Sequence, residues 1–315
     1  MITINIADFD LGQICDSGQC FRMYRVDDSR TKSTGMEEEF EVIARDRYLR
    51  VGQNPSGAFG NQESGCHSIV FDCSKEEFED FWKIYFDIEV ATDYSAIKQM
   101  VPERDAFLTK AINLGAGIRI LNQDLWEMIV SFLISQQNNI PRIHKCIDNI
   151  SRKYGIAKEN SLGEVYYSFP TPESLANLEE DALMECNLGY RSKYVVRTAR
   201  EIVEGKFDLN DISKMKYLDA RAKLLEMYGV GVKVADCICL FALHLLEAFP
   251  VDTHIKQVLE REYGVTASIA SNNSLKVVTD TLHPYCEYNP LSRYPGVQGV
   301  IQQYIFYAEL QQSLK

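Results

Sequence analysis

Hydrophobic and polar positions divide the chain into a β-rich start and a helical remainder. Residues 40–51 (FEVIARDRYLRV) and 68–73 (SIVFDC) carry β-branched and aromatic side chains in partial alternation, as half-buried strands do. From Ser74 onward the apolar spacing becomes helical and stays helical to the end of the chain. Because Ser74 is followed three residues later by Glu77, the sequence matches a capping box, which predicts that a helix begins there.

The helical remainder contains apolar-periodic segments of ordinary helix length, separated by short connections rich in Gly, Pro or Asn. These segments are 124–136, 140–155, 191–205, 219–228, 232–246, 252–264 and 297–311. The pattern predicts an α+β protein, with a small antiparallel β-sheet domain followed by an all-helical body. We place the N-terminal β-rich domain and its flanking helices at 1–118, and the helical domain at 119–315.

Composition narrows the class of protein. With 315 residues, 46% hydrophobic and 25% charged, the chain is typical of a soluble globular protein. The sequence has neither a membrane-span pattern nor a signal-peptide pattern, so a cytoplasmic location is expected, nucleoid-associated in a bacterium or nuclear in a eukaryote. Nine scattered cysteines favour free thiols over a disulfide framework. The net charge of −12 argues against a generic nucleic-acid binder, although a local main-chain amide face can still bind phosphate.

Residues 228–237 (YGVGVKVADC) place a tight Gly-x-Gly turn before an apolar helix. Gly229 and Gly231 permit positive φ angles and a close approach of main-chain amides to a ligand. The helix after the turn offers N-terminal amides and a dipole, which suit a DNA phosphate without any basic patch. A plain packing corner between two helices explains the same pattern equally well.

Lys233 and Asp252 are candidate catalytic residues at two helix starts. A lysine in such a place is most often a solvated or phosphate-contacting cation. Here the helix dipole and the apolar neighbours disfavour the charged amine, which favours its nucleophilic neutral form. Asp252 precedes an apolar-periodic segment and is predicted to cap that helix, where an ionised carboxylate also suits stabilisation of a developing cation. The pair indicates chemistry on a sugar beside DNA phosphates.

Residues 228–237 and 249–254 (FPVDTH) together resemble the helix-hairpin-helix Gly-Pro-Asp DNA glycosylases, and among them the 8-oxoguanine DNA glycosylase/AP lyases. Further stretches that fit this family, in the same order, are 17–22 (SGQCFR), 135–143 (SQQNNIPRI), 188–194 (LGYRSKY) and 299–310 (GVIQQYIFYAEL). The resemblance spans nearly the whole chain. It implies a bifunctional DNA N-glycosylase and class I AP lyase that flips out 8-oxoguanine, excises it through a lysine Schiff base and nicks the abasic strand by β-elimination.

The resemblance implies roles for single residues. Lys233 corresponds to the nucleophile that forms the Schiff base, and Asp252 to the carboxylate that stabilises the oxocarbenium-like sugar. His254 corresponds to a histidine near a DNA phosphate, although a capping or surface role is equally open.

Another set matches the pocket for the flipped base. Gly18 matches the glycine whose carbonyl accepts the N7–H that 8-oxoguanine has and guanine lacks. Cys237 and Phe306 match the pair that sandwiches the base, and Gln302 matches the amide that contacts its Watson–Crick edge. Gln302 and Phe306 are four residues apart and share a helix face, as do Lys233 and Cys237. Taken singly, Cys237 and Phe306 would be core residues.

A further group matches residues that hold DNA around the vacated position. Its members are Gln137, Asn138, Asn139, Arg142, Tyr190, Arg191, Gly229, Gly231 and His254. The family has asparagine where Gln137 stands, so the extra methylene changes how this side chain fills the gap. Tyr190 matches the wedge inserted into the base stack. Arg142 and Arg191 match the arginines that contact the orphaned cytosine, with phosphate contacts as the alternative for both.

Cofactor and partner expectations follow from the same resemblance. The main-chain carbonyls of Leu225, Met227 and Val230 match a cation site in the hairpin, and no other cofactor is required. Only Cys286 lies beyond residue 239, so the four-cysteine iron–sulfur cluster of many endonuclease III relatives is not expected. The expected partner is double-stranded DNA containing 8-oxoguanine, with no membrane, and the enzyme is expected to be a monomer.

Other classes of protein share parts of this sequence pattern. The endonuclease III branch shares the hairpin, the lysine and the aspartate but acts on oxidised pyrimidines, and adenine glycosylases of the superfamily normally lack the lysine. A catalytically inactive DNA-binding module is a different class of protein with the same hairpin. The presence of both Lys233 and Asp252 argues against it.

Overall fold

The N-terminal part of the chain forms one antiparallel sheet. We determined the fold as a computed structural model, which describes residues 1–27, 29–54, 66–88, 92–264 and 290–313. The strands are β1 (Ile2–Ala7), β2 (Met23–Arg25), β3 (Glu38–Ala44), β4 (Arg47–Gln53) and β5 (Cys66–Phe71). Their order in the sheet is β1-β5-β4-β3-β2, and every neighbouring pair is antiparallel. The predicted β-rich start and α+β class are confirmed.

Helices make up most of the remaining described chain. They are α1 (Leu11–Asp16), α2 (Lys75–Glu77), α3 (Lys83–Tyr85), α4 (Tyr94–Gln99), α5 (Ala106–Leu114), α6 (Leu125–Ser135), α7 (Ile140–Tyr154), α8 (Pro172–Ala176), α9 (Ser192–Val203), α10 (Leu209–Ile212), α11 (Tyr217–Leu225), α12 (Val232–Phe241), α13 (Thr253–Tyr263) and α14 (Gln298–Ser313). A π-helical turn over Phe78–Trp82 joins α2 to α3, and short 3-10 turns cover Ala182–Cys186, Gly189–Arg191 and Pro290–Arg293.

The predicted capping box at Ser74 forms only in part. The Ser74 side chain accepts a hydrogen bond from the Glu77 main-chain nitrogen at 3.0 Å, so α2 begins where the sequence indicates. The Glu77 carboxylate does not return the bond. It accepts instead from the indole nitrogen of Trp82 at 3.0 Å, which fixes the buried tryptophan under the sheet.

The expectation of continuous helix after Ser74 is wrong at one place. Strands β6 (Ala157–Glu159) and β7 (Val165–Tyr167) form a separate hairpin inside the helical body. The Asn160 side chain accepts from the main-chain nitrogens of Leu162 and Glu164, both at 2.9 Å, and Gly163 adopts a φ of +77°. This local turn chemistry overrides the helical spacing.

The apolar segment 232–246 also yields a shorter helix than its pattern indicates. Helix α12 ends at Phe241, and the main-chain nitrogen of Leu245 bonds the carbonyl of Cys239 at 3.0 Å in a compact turn. His244 lies in this turn with a φ of +53°. The apolar residues after Phe241 therefore fill the core from a turn, which periodicity alone cannot distinguish from helix.

Two apolar cores lie side by side. One joins the sheet to α1 and the Phe78–Trp82 turn, and the other fills the helical body from α4 to α14. Helix α5 packs against α14, so it contributes to the helical core. Arg119 bridges the two units, because its buried guanidinium donates to the carbonyls of Ala7, Asp8 and Asp87 at 2.6–3.0 Å. The boundary at 118/119 stays a prediction.

Two further features of the described residues concern membrane spans and cysteines. No helix in the described ranges has the length and apolarity that crossing a bilayer requires. The cysteines at 15, 20, 66, 73, 146, 186, 237 and 239 are free, and Cys286 lies outside the described residues.

Candidate active site

The hairpin between α11 and α12 requires glycine at one position. Gly229 has a φ of +87°, and a Cβ built there would lie 2.7 Å from Cγ of the Tyr194 ring. Gly231 differs, because its φ of −98° and ψ of 176° are open to any residue and its Cβ would meet nothing within 4 Å. Gly231 occupies the N-cap of α12 without a side-chain cap, so the first-turn amides face outward. Both glycines stay candidates for phosphate contact.

A buried polar cluster fixes the two helices of the hairpin. Asp236 on α12 accepts hydrogen bonds from the Tyr217 hydroxyl and from Nε of Arg221, each at 2.8 Å. Burial raises the pKa of the Asp236 carboxyl to about 6, against the opposing effect of Arg221. Since Asp236 lies next to Cys237, this cluster sets the rotation of α12 and with it the direction in which Lys233 and Cys237 point.

Lys233 projects from the first turn of α12 into a half-buried space. Its Nζ lies 3.4 Å from the Ser135 hydroxyl and 5.2 Å from the centroid of the Phe132 ring. Cys237 follows one turn along the helix, and the charge of Lys233 opposes the rise in the pKa of its thiol. Burial raises the pKa of that thiol to about 11, so the thiol is neutral near pH 7 and does not compete as a nucleophile.

Asp252 caps α13, as the sequence predicts. Its carboxylate accepts from the main-chain nitrogen of Ile255 at 2.8 Å. The negative charge of Asp252 is among the causes that raise the pKa of the Cys237 thiol. The amine stands in the first turn of α12, the thiol one turn along the same helix, and the carboxylate at the N-cap of α13.

Phe306 connects this group to the N-terminal segment. Its ring lies edge-on to the exposed His254 ring, with 6.2 Å between centroids. Gly18 adopts a φ of +74°, and a Cβ there would lie 3.1 Å from Cε1 of Phe306 and 3.3 Å from Cδ1 of Ile140. Contacts therefore run from Gly18 through Phe306 to His254, two residues from Asp252.

Gln302 lies one helical turn before Phe306 on α14. The residue is only 5% exposed, and its Oε1 is buried without a hydrogen-bond partner among the described residues. An unmatched buried acceptor costs free energy, about 1–3 kcal/mol, that a ligand donor can recover. This feature supports a polar ligand at the predicted base pocket.

Buried glutamines that the sequence analysis did not single out hold Gly18 in place. Gln303 on α14 donates to the Ser17 carbonyl at 2.6 Å. Gln19 donates to the Arg119 carbonyl at 2.9 Å and accepts from the Leu121 nitrogen at 2.8 Å. These bonds join positions up to 286 residues apart. No local periodicity encodes such a contact, although two adjacent amides in an apolar helix (Gln302 and Gln303) are an unusual pattern that could have drawn attention.

The predicted DNA-contacting segment between α6 and α7 is a tight turn, which we call the gap-facing turn (136–139). Gln137 is exposed and has a φ of +48°, which is uncommon for a residue with a side chain. Asn139 caps α7 by accepting from the Arg142 nitrogen at 3.0 Å, and the Asn138 amide donates to the Ile134 carbonyl at 3.1 Å. The two asparagines thus support the turn, and DNA contact by them stays a prediction.

The arginines assigned to the orphaned cytosine differ from each other. Arg142 is exposed, with Nη2 3.5 Å from the Asn187 carbonyl. Arg191 is only 4% exposed, and its guanidinium donates to the carbonyls of Leu188, Gln136 and Gln137. These bonds use four of the five N–H groups of the guanidinium, and contact between Arg191 and cytosine stays a prediction. Tyr190, the predicted wedge, is 45% exposed beside Gln137, with its hydroxyl 3.4 Å from Oε1 of that residue.

The proposed cation position lies at the end of α11. Main-chain carbonyls at a helix C-terminus carry partial negative charge and lack intrahelical partners, and oxygen ligands of this kind suit a hard cation. The Met227 carbonyl accepts from the Val230 nitrogen at 3.1 Å, which closes the turn beside Leu225. Over the described ranges, no group of three or more His, Cys, Asp or Glu side chains could hold a metal. The carbonyl site stays a prediction.

Comparison with known proteins gives matches along almost the whole chain. Residues 1–129 match the family described as 8-oxoguanine DNA glycosylase, N-terminal domain. Residues 130–279 match the family described as HhH-GPD superfamily base excision DNA repair protein. An N-glycosylase/DNA lyase from Saccharomyces cerevisiae is 31% identical over 283 residues, which is 85% of this chain and 72% of the yeast protein.

Solved structures agree with the sequence matches. The 8-oxoguanine glycosylase/lyase of Clostridium acetobutylicum, in complex with duplex DNA containing cytosine opposite 8-oxoguanine, is 33% identical with a TM-score of 0.80. The match covers 99% of this chain and 96% of that one. MBOgg1 in complex with a low-affinity DNA ligand is 30% identical, with a TM-score of 0.79 and the same coverage. The chain therefore belongs to the 8-oxoguanine DNA glycosylase/lyase family, within the helix-hairpin-helix superfamily of base-excision repair enzymes.

Proposed function

We propose that this enzyme excises 8-oxoguanine from duplex DNA, preferably opposite cytosine, and nicks the abasic strand through a Schiff base on Lys233. One observation carries the proposal. Lys233 and Cys237 lie one turn apart on α12, and the Asp252 carboxylate caps the next helix, α13. Contacts through Phe306 join this group to the left-handed Gly18.

The chemistry needs one nucleophile and one fixed negative charge. Neutral Nζ of Lys233 attacks C1′ of the deoxyribose while the C1′–N9 bond breaks, and the bonding pair leaves with the base. The proton that the attacking nitrogen loses balances the proton that the departing base gains. Asp252 stabilises the positive charge that develops on the sugar. Opening of the sugar ring then gives the imine, and loss of a C2′ proton expels the 3′ phosphate.

Two polar groups of the predicted base pocket would recognise the damaged base. The Gly18 carbonyl would accept from N7–H of 8-oxoguanine but would face the lone pair of guanine N7. The buried Oε1 of Gln302 lacks a partner among the described residues and suits a donor on the Watson–Crick edge. Extrusion of a base costs a few kcal/mol, which such contacts offset.

DNA binding by this acidic chain relies on main-chain groups. The first-turn amides of α12 and the exposed turn at Gly231 offer an anion site that needs no basic patch. The exposed imidazole of His254 lies on the same side, beside Phe306. Because main-chain amides rather than many basic side chains would contact phosphate, we expect weak binding to undamaged DNA and a shallow dependence on salt.

The wild-type enzyme tests the proposal directly. We expect single-turnover excision of 8-oxoguanine opposite cytosine, with much slower release of guanine from the matched duplex. The contact at Gly18 alone accounts for about 1–3 kcal/mol of this difference. A duplex with thymine glycol serves as the comparison, because an oxidised pyrimidine is the substrate class of the endonuclease III branch. Faster excision of thymine glycol than of 8-oxoguanine would refute the proposed function.

The variant Gly18→Ala should lose 8-oxoguanine excision by about tenfold or more. The added Cβ meets Phe306 at 3.1 Å, so the ring that faces the base must shift. Gly205→Ala is the matched control, because Gly205 has a similar φ of +78° but its Cβ meets nothing within 4 Å. Both variants lose stability through backbone strain, roughly 1–2 kcal/mol. Equal excision rates for the two, at equal melting temperature, would remove Gly18 from the base pocket.

The preference for cytosine should depend on Arg142. Cytosine presents two adjacent acceptors, O2 and N3, which suit a guanidinium, whereas adenine, thymine and guanine have no two adjacent acceptors on that edge. The variant Arg142→Ala should reduce discrimination among opposite bases by about 1–3 kcal/mol. Lys145→Ala removes one exposed charge a turn along α7 and serves as the control. A uniform loss in Arg142→Ala on all opposite bases would assign Arg142 to phosphate contact.

A further inference from the structure

Gln136 connects two parts of the DNA-facing surface that are far apart in the sequence. It ends α6, and its side-chain amide donates to the carbonyl of Gly229, 93 residues away, at 3.1 Å. The same amide also donates to the Leu133 carbonyl at 3.3 Å. The Gly229 carbonyl belongs to the turn between α11 and α12, four residues before Lys233. Gln136 therefore joins the gap-facing turn to the hairpin turn.

Arg191 holds the main chain of Gln136 from the other side. Nε of Arg191 donates to the Gln136 carbonyl at 2.7 Å, Nη2 makes a second bond to the same oxygen, and Nη2 also donates to the Gln137 carbonyl at 2.8 Å. The guanidinium lies over the Tyr190 ring, 4.6 Å from its centroid. Segment 188–194, the gap-facing turn and the hairpin turn thus meet at one residue.

These bonds fix the conformation of Gln137. A residue with a side chain adopts a φ of +48° only when its surroundings hold it there. The carbonyls on both sides of that φ angle accept from Arg191, and the Gln137 side chain lies beside the exposed Tyr190. Both side chains face the position that a flipped base vacates. Their distance from the hairpin depends on the bond between Gln136 and Gly229.

We propose that Gln136 is a positioning residue that locks the gap-facing turn to the hairpin turn. The lock keeps the groups that face the opposite strand at a fixed distance from the hairpin that holds the damaged strand. This inference rests on the proposed function. A displacement of about 1 Å at such a junction reduces the rate of reaction at C1′, because the sugar no longer aligns with Lys233.

Two variants test the lock. Gln136→Ala removes the donor, and Gln136→Glu places a carboxylate oxygen against the carbonyls of Gly229 and Leu133. We expect the saturating single-turnover rate on 8-oxoguanine opposite cytosine to fall roughly 3- to 10-fold in Gln136→Ala and further in Gln136→Glu. Gln99→Ala, at an exposed position on α4, is the control.

A second substrate, single-stranded DNA with an abasic site, separates a positioning role from a general loss of structure. Borohydride trapping at an abasic site in single-stranded DNA needs the lysine but no opposite strand, so it should change by less than about twofold. In a Gln137→Ala background, Gln136→Ala should add little, because both act through the same turn. The melting temperature should stay near the wild-type value.

Distinct results would overturn the lock. Unchanged rates in Gln136→Glu would show that the Gln136–Gly229 bond is idle. Additive losses with Gln137→Ala would show that Gln136 does not act through the gap-facing turn. Equal losses on single-stranded abasic DNA together with a lower melting temperature would give Gln136 a merely structural role. Failure of the wild type to excise 8-oxoguanine would instead refute the proposed function. In that case the lock can still be tested, by comparing borohydride trapping at an abasic site in duplex DNA with trapping at an abasic site in single-stranded DNA.

Discussion

Lys233→Gln is expected to abolish both excision of 8-oxoguanine and covalent trapping on DNA. Glutamine stays polar but is one atom shorter and has no basic lone pair, so neither attack at C1′ nor imine formation is available. Removal of a nucleophile typically costs on the order of 10⁴-fold or more in rate. The measurement is borohydride reduction during reaction with an 8-oxoguanine duplex, followed by detection of a protein–DNA adduct.

The fold should tolerate this substitution. The hydrogen bond from Nζ of Lys233 to the Ser135 hydroxyl is a long contact at 3.4 Å, so its loss should cost little stability. Lys110→Gln removes one exposed charge on α5, away from the site, and is the matched control. An adduct of normal yield in Lys233→Gln would assign the imine to another amine and would end the proposed role of Lys233.

Trapping also separates the two steps of the reaction. An abasic site already present in the DNA needs no base release, so a lysine that acts only as a lyase would still be required there. Lys233→Gln should therefore fail on abasic DNA as well as on the 8-oxoguanine duplex. Loss on one substrate alone would show that base release and strand nicking use different nucleophiles in this enzyme.

The local elements of the site were predictable from the sequence. Asp252 stands directly before an apolar-periodic segment, and it caps α13 as predicted. The Gly-x-Gly turn before Lys233 also forms a hairpin between two helices, with Gly229 in the left-handed region. Caps and turns depend on residues within four positions of each other, and this is the range that sequence patterns describe well.

Long-range polar contacts were beyond sequence patterns. Arg191 was assigned to cytosine by the family resemblance, and the structure adds that its guanidinium bonds main-chain carbonyls 55 and 54 residues away. The Gln303 bond to Ser17 and the Gln136 bond to Gly229 likewise join distant positions. A side chain that bonds a carbonyl leaves no mark at the partner position, because every residue carries a carbonyl. Residues that support the site through such bonds were therefore missed, and the roles given to the named ligand contacts stay predictions.

The negative net charge also made DNA binding difficult to predict from the sequence. A charge of −12 argues against DNA binding, whereas the hairpin presents main-chain amides that attract phosphate at any net charge. Many acidic side chains are also neutralised inside the fold. Glu39 and Glu164, for example, both pair with the buried Arg50, at 3.4 and 2.7 Å. These ion pairs are already counted in the net charge, so it is the local main-chain amides that favour phosphate at the hairpin.

Asp252→Asn should slow base excision by about 10²- to 10³-fold while the protein stays folded. Asparagine caps helices as well as aspartate, so the bond to the Ile255 nitrogen at 2.8 Å is kept and the free energy of unfolding should change by only a few tenths of a kcal/mol.

What asparagine cannot supply is negative charge beside the sugar. Loss of one such electrostatic contact in a preorganised site costs ~3–4 kcal/mol in the transition state. DNA affinity should hold or improve, because removal of a carboxylate lowers repulsion of phosphate. Asp208→Asn, at the cap of α10 remote from the site, is the matched control for capping. The measurements are the single-turnover rate, the dissociation constant for an uncleavable lesion duplex and the melting temperature. A near-normal rate in Asp252→Asn would reduce Asp252 to a helix cap, whereas a slow rate with an intact melting temperature and DNA affinity would leave the charge as its essential contribution.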